Sequence, residues 1–211
     1  MKIIRLFCIS LLWAQHFETG FFVGPQLLSL LKDDGDYDLR LRGIGFVGGV
    51  SENFWFAQRW GLSLEAQYVW GRFRSGSSFS VEITRFITGL RTPLLLRYQV
   101  PLSERVSLEL GAGVYAGFIL AAEEDVKYSS FYYGRDTSYT RDLFDKSVPG
   151  ADIHRRLNFG GAFVGGVRTQ RFGFALWHDW MLSKANDPKC RCASFRYNAT
   201  AVRISYFIGH S

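Results

Sequence analysis

The sequence has no apolar run long enough for a transmembrane helix, which needs roughly 18 residues, although 47% of its 211 residues are hydrophobic. It has only 5 prolines against 22 glycines, and 17% of its residues are aromatic, a composition that favours a tightly packed β protein. The net charge is +6, but no cluster of lysine and arginine and no basic helix forms a nucleic-acid footprint. A helical membrane protein and a nucleic-acid-binding protein are therefore not expected, and the length suits one domain.

The first 15 residues have the features of an export signal. Lys2 and Arg5 make a basic start, residues 6–13 are apolar, and Ala14 precedes Gln15. We predict a signal peptide over residues 1–14, cleaved after Ala14, and a barrel domain over residues 15–211. The alternative is a buried first strand.

The most regular pattern runs from residue 90 to residue 120, where apolar and mixed residues alternate. One face is apolar throughout, and the other combines charged residues with glycine. Period-two alternation specifies a β-hairpin, here turning at residues 101–104. Each arm exceeds the usual strand of about 5–6 residues and matches the ~9–11 residues with which a tilted strand crosses a bilayer. The pattern predicts a transmembrane hairpin whose apolar face contacts lipid.

This hairpin resembles the PorT-like outer-membrane β-barrel family. The resemblance rests on a proline and leucine run at residues 93–96, a short polar turn at residues 101–105, and a Gly-Ala-Gly strand at residues 111–113 followed by Tyr115 and Gly117. It implies a non-enzymatic protein of a Gram-negative outer membrane. One branch of the family serves a secretion system, so the resemblance also offers the alternative of an accessory role in envelope transport or secretion.

Similar alternation elsewhere brings the number of predicted strands to eight. They cover residues 17–31, 39–50, 61–74, 90–100, 106–120, 157–168, 172–183 and 194–208. Compact connections alternate with long polar ones, and bacterial barrels place the short turns in the periplasm and the long loops outside. The prediction is an all-β, eight-stranded antiparallel up-and-down transmembrane β-barrel in the cell outer membrane, with periplasmic termini. A soluble lipocalin-like ligand-binding barrel is the alternative, and it would direct the apolar face inward.

Aromatic residues near the strand ends are candidates for the two interfacial girdles of such a barrel. They are Trp55, Trp60 and Tyr98 at the periplasmic end, and Trp70 and Trp180 at the outer end.

Several charged residues alternate onto the inward face of the predicted barrel. Counting along the strands places Glu65, Arg97, Glu109, Arg168 and Arg203 at one height near the periplasmic end, and a second pair, Arg91 and Asp179, higher up. An eight-stranded barrel is just wide enough to be filled by side chains, and buried charges must be paired or solvated. We interpret the cluster as a structural plug that prevents conduction. The alternative is a proton or ion path.

The longest segment without alternation covers residues 123–155 and is polar and aromatic. It contains Tyr128, Phe131, Tyr132, Tyr133 and Tyr139, with aspartate and arginine between them. Exposed aromatics beside arginine are typical of protein recognition. We therefore predict an outer loop that binds an envelope or extracellular protein, the alternative being a solvated loop without a partner.

The remaining motifs give no catalytic site, metal site or cofactor. His178 and Ser183 are candidates for a lipid-modifying enzyme, but alternation places them on opposite faces. Residues 43–48 match G-x-G-x-x-G, yet these glycines lie within a predicted strand rather than between a strand and a helix. Cys190 and Cys192 are candidates for a disulfide bridge. A zinc site is not expected there, because the sequence has no further Cys or His at the spacing of zinc ligands.

Overall fold

The computed structural model describes residues 16–33, 40–74, 81–128, 137–145, 156–183 and 194–209, and their regular structure is β-strand. The strands are β1 (His16–Asp33), β2 (Arg40–Trp55), β3 (Trp60–Arg74), β4 (Val81–Pro101), β5 (Val106–Tyr128), β6 (Thr137–Asp142), β7 (Leu157–Thr169), β8 (Phe172–Met181) and β9 (Ser194–Gly209). Within these ranges there is no helix of the length and apolarity needed to cross a membrane. The predicted signal peptide, together with Cys190 and Cys192, lies outside the described residues.

Eight of the strands form a closed antiparallel ring. The order is β1-β2-β3-β4-β5-β7-β8-β9, and β9 pairs back with β1. The short β6 pairs with the far part of β5, beyond the ring. The predicted eight-stranded up-and-down barrel is thereby confirmed, with one additional strand.

The barrel has two unlike ends. At the turn end lie the start of β1, the end of β9 and the short connections at residues 56–59, 102–105 and 170–171. At the loop end lie the longer connections, and residues 137–145 belong to one of them.

Burial alternates along most of the length of the barrel strands, as the period-two pattern predicts. In β3 each even-numbered residue is exposed and each odd-numbered one is buried. The outward side chains are large and apolar: Leu27 is 67% exposed, Ile44 64% and Leu157 69%. A continuous apolar band of this kind around a barrel is stable against lipid and not against water.

Side chains fill the interior in layers. One apolar cluster lies on the loop-end side of the inward charged residues predicted near the periplasmic end. It includes Phe22, Val47, Leu95, Tyr115 and Trp177. A second cluster, which includes Leu30, Phe73 and Met181, lies nearer the loop end. Trp55 also points inward and is buried, so its predicted place in the lipid-facing girdle is wrong. The reason is that β2 continues its alternation to residue 55, through residues that the sequence pattern had given to a connection.

The segment predicted as irregular from residue 123 onward is partly a regular hairpin. β5 continues to Tyr128 and pairs there with β6. Gly89 pairs with Ile119 and Thr88 pairs with Ala121, which leaves Leu120 as the extra residue of a β-bulge. A bulge adds one residue to one strand, so the inward positions of β5 change from odd to even numbers, and Ala122, Glu124 and Val126 are buried.

Candidate functional site

The charged layer at the turn end is a network of six side chains from six strands. We call it the lumen charge network, and its members are Glu18, Glu65, Arg97, Glu109, Arg168 and Arg203. All six are less than 10% exposed. Three carboxylates and three guanidinium groups balance one another in charge, which satisfies the requirement that buried ions be paired.

The contacts form one continuous chain across the lumen. Arg203 Nη1 lies 3.0 Å from Glu65 Oε2, and Arg97 Nη2 lies 2.8 Å from Glu65 Oε1. Arg97 Nη1 reaches Glu109 Oε2 at 3.2 Å, and Arg168 Nη1 reaches Glu109 Oε1 at 3.0 Å. Arg168 also pairs with Glu18. The five residues that sequence counting placed at one height therefore do meet, and Glu18 joins them.

Aromatic rings cover the arginines of this network. The guanidinium carbon of Arg203 lies 3.5 Å from the ring centroid of Trp177 and 4.6 Å from that of Phe22. The corresponding carbon of Arg168 lies 3.9 Å from the Phe207 ring. Cation–π contacts favour a fixed guanidinium position, so each of these two cations is held by carboxylate and ring together.

The second predicted pair lies higher in the lumen. Arg91 Nη1 is 2.5 Å from Asp179 Oδ2, and the Trp177 indole N–H donates to the same oxygen at 3.0 Å. The guanidinium of Arg91 also lies over the Tyr115 ring, 5.3 Å from its centroid. Arg91 and Asp179 thus belong to the interior packing and are joined to the charged layer through Trp177.

The spaces inside the barrel differ greatly in size. At the turn end an open vestibule of about 780 Å³ is lined by Glu18, Arg168 and the turn residues around Arg59, Arg105 and Arg171. Beside the lumen charge network a cavity measures about 30 Å³, and one above it about 50 Å³. Cavities of these sizes accommodate one or a few water molecules. The network thus forms the floor of the vestibule.

A second buried ionic group lies at the loop end. Glu124 is fully buried and pairs with Arg85 of β4 and with Arg141 of β6, whose Nη2 lies 2.5 Å from Glu124 Oε1. Below it, Leu143, Ile119 and Ala122 form an apolar cluster, and the Leu143 N–H donates to the Ala122 carbonyl at 2.9 Å. The sequence pattern did not predict this group, because the bulge reverses the face of every later residue in β5.

This ionic group anchors a hairpin that extends beyond the barrel ring. We call residues 123–128 and 137–142 the loop-end hairpin. Tyr128 and Tyr139 stack on it with ring centroids 6.1 Å apart, and they are 41% and 45% exposed. The hydrogen bond with Tyr128 raises the pKa of Tyr139 above its ordinary value. Of the other aromatics predicted for recognition, Phe131, Tyr132 and Tyr133 lie outside the described residues.

The two candidate catalytic side chains lie on opposite faces of the barrel wall. His178 points outward, with Nδ1 2.9 Å from Thr200 Oγ1 and its ring stacked on Trp180. Ser183 is buried, and its hydroxyl accepts a hydrogen bond from the Phe159 N–H at 3.1 Å. Among the described residues no group of three or more His, Cys, Asp or Glu side chains is arranged to hold a metal ion. The glycines of residues 43–48 lie within β2, with no helix after them.

The strands form a closed antiparallel ring with an apolar outer band, and paired charged side chains fill part of the lumen. These features define a transmembrane β-barrel. The chain belongs to the family described as "Outer membrane protein beta-barrel domain", whose model matches residues 13–186. The protein is therefore an integral outer-membrane β-barrel, and the soluble-barrel alternative is wrong.

Solved structures of outer-membrane barrels are similar to this chain. Ail, the attachment invasion locus protein of Yersinia pestis, is 14% identical with a TM-score of 0.43, over 90% of this chain and 98% of Ail. OprG from Pseudomonas aeruginosa is 12% identical with a TM-score of 0.41, over 93% and 98% of the two chains. The outer membrane enzyme PagL is 11% identical with a TM-score of 0.40, over 90% and 98%. Such distant likenesses assign no role to this chain, and a comparison with curated proteins finds no match.

Proposed function

We propose that the protein is a non-enzymatic, non-conducting outer-membrane barrel whose loop-end hairpin binds a protein partner in the envelope or outside the cell. The observation that carries the proposal is the pairing of buried Glu124 with Arg85 and Arg141. A buried carboxylate with two cationic partners fixes β6 against β5 and β4. The hairpin is thereby pre-organised, which lowers the entropic cost of binding.

The exposed chemistry of the hairpin supports this role. Tyr128 and Tyr139 present two stacked rings, and tyrosine contributes strongly to protein interfaces because it combines a large apolar area with a hydroxyl group. Both rings lie beyond the barrel ring, on the face of the hairpin that also carries buried Glu124 and Val126. A partner would therefore meet an ordered surface.

The orientation that we propose places the loop end outside the cell and the termini in the periplasm. Its support is the contrast between the three short connections at the turn end and the longer ones opposite. A cysteine at Ser138, in a Cys190→Ser/Cys192→Ser background, should react with a membrane-impermeant maleimide in intact cells. A cysteine at Arg171 should react only after the outer membrane is permeabilised, and the reverse pattern would contradict this orientation.

An accessory role in envelope transport or secretion is the second candidate, and its support is the PorT-like hairpin of residues 90–120. It requires specific envelope components to co-purify with the barrel. A lipid-modifying enzyme has less support, because His178 and Ser183 lie on opposite sides of the barrel wall.

Photo-crosslinking in living cells tests the binding role. A photoreactive phenylalanine analogue replaces Tyr139, and the matched control replaces Phe172, which packs on Tyr206 at the turn end with ring centroids 5.3 Å apart. We expect a protein adduct of defined mass from position 139 and none from position 172. A second variant, Tyr128→Ala, should abolish that adduct while leaving the barrel folded. No adduct at position 139, or equal adducts at both positions, would refute the proposal.

A further inference from the structure

Three arginines form a basic patch on the outer surface of the barrel at the loop end. Arg42 of β2 lies directly opposite Arg74 of β3, and Arg72 lies opposite Ile44, one step nearer the barrel centre. All three side chains are exposed. They continue the outward face that carries Ile44, Phe46 and Trp70 in the apolar band, so they face the surroundings of the barrel and not its lumen.

The height of this patch follows from the spacing of tryptophans on β3. Trp60 and Trp70 are both exposed on its outward face. Ten residues at ~3.3 Å rise and ~40° tilt span about 25 Å along the barrel axis, which is the height of the apolar band between two aromatic girdles. Arg72 and Arg74 then lie about 5 and 10 Å beyond the band, at the level of lipid headgroups.

The contacts of the described residues offset only part of the positive charge of the patch. Arg74 Nη2 lies 2.7 Å from Glu82 Oε1, and the Arg72 guanidinium lies over the Phe86 ring at 5.5 Å. Among the described residues Arg42 has no ion-pair partner, and it lies across from another arginine. Like charges directly opposite on neighbouring strands repel, so an anion between them would relieve that repulsion.

We propose that Arg42, Arg72 and Arg74 bind the phosphate groups of a phosphorylated glycolipid in the leaflet that surrounds the loop end. Guanidinium groups bind phosphate through paired, charge-assisted hydrogen bonds. The apolar band below the patch contacts the acyl chains of the same lipid. The inference goes beyond partner binding by the hairpin, and it rests on the proposed orientation, which places the loop end in the outer leaflet.

Lipid binding by the purified, folded, full-length barrel in neutral detergent tests the inference. The probe is diphosphoryl lipid A, titrated and followed by native mass spectrometry, with lipid A lacking both phosphates and phosphatidylglycerol as comparisons. The variant is Arg42→Gln/Arg72→Gln/Arg74→Gln. Its control is Arg59→Gln/Arg105→Gln/Arg171→Gln, which removes the same charge from exposed arginines at the turn end. Heat-dependent gel mobility verifies folding of both variants.

We expect the patch variant to bind diphosphoryl lipid A at least ten-fold more weakly than the native protein, and the turn-end control to bind it unchanged. Removing the phosphates from the lipid should weaken binding to the native protein by a similar factor. The single variant Arg42→Gln, which breaks no ion pair between described residues, should bind diphosphoryl lipid A about three-fold more weakly than the native protein. The inference would be overturned if the patch variant bound diphosphoryl lipid A as tightly as the native protein, or if the turn-end control lost as much affinity as the patch variant. It would also be overturned if binding to the native protein did not depend on the lipid phosphates. Phosphatidylglycerol binding as tightly as lipid A would also overturn it, because the site would then not select a glycolipid.

Discussion

At the scale of single residues, Glu65 is the central member of the lumen charge network. Its two carboxylate oxygens accept from Arg97 and Arg203, and the Gln67 amide donates to one of them at 2.8 Å. Glu65 thus links β3 with β4 and β9 across the lumen. Removing one member of a buried ion group leaves its partners charged and buried, which costs far more than the group itself contributes.

Glu65→Gln should therefore destabilise the barrel by about 3–5 kcal/mol. Denaturant unfolding in detergent micelles, followed by tryptophan fluorescence, measures the change. The control is Glu52→Gln, an exposed carboxylate on the outward face that accepts from the Thr19 hydroxyl at 2.9 Å. That variant should stay within about 0.5 kcal/mol of the native protein. Equal free energies of unfolding for the two variants would show that the network does not stabilise the barrel.

Most of the lumen charge network follows from the sequence because period-two alternation assigns faces and counting assigns heights. Glu18 was missed, although the alternation of β1 through Gly20 and Phe22 extends back to it. The pairing of partners could not be predicted, because strand tilt and stagger decide which side chains of a layer meet across the lumen.

At the scale of elements, the bulge at Leu120 decides the structure of the loop end. Without it, Glu124 would alternate outward and could not meet Arg85 in the interior. Sequence alternation breaks at the bulge, and for this reason the sequence predicted strand five too short. It predicted strand four too short because the outward residues before Leu90 are mostly polar. It predicted the other barrel strands to within a few residues at most ends, since these keep one register throughout.

Glu124→Gln should loosen the loop-end hairpin without unfolding the barrel. Arg85 and Arg141 would lose their shared carboxylate, and local opening becomes easier when a buried ion pair is broken. Limited trypsin digestion, with cleavage after Lys127 and Arg141 followed by mass spectrometry, should accelerate by ~10-fold or more. The heat-dependent gel shift should persist.

Asp125→Asn is the matched change on the exposed face of the same strand, where Asp125 accepts from the Thr140 hydroxyl at 2.7 Å. It should leave the cleavage rates nearly unchanged. If both variants are cleaved at the native rate, the buried ionic group does not hold the hairpin, and the pre-organised surface that we propose for binding loses its basis.

At the scale of the whole molecule, the chemistry of the barrel surface and interior changes with height and with face. The outward face is an apolar band between tryptophan-bearing rims, the interior is closed by the lumen charge network and two apolar clusters, and the ordered polar surface lies at the loop end. Sequence alternation predicts this architecture because it separates an apolar face from a face that combines charged residues with glycine. In an eight-stranded barrel the interior is just wide enough to be filled by the side chains of the second face. A lumen closed in this way agrees with the surface-binding function that we propose.

Conductance through single molecules in planar lipid bilayers tests the closed lumen most directly. Purified protein that shows the heat-dependent gel shift is reconstituted and recorded beside a porin as a positive control. We expect no steps of porin size, because paired charges and packed side chains fill the interior. Stable steps of porin size from the native protein would contradict this expectation, and would make the charged layer a path for ions instead of a plug.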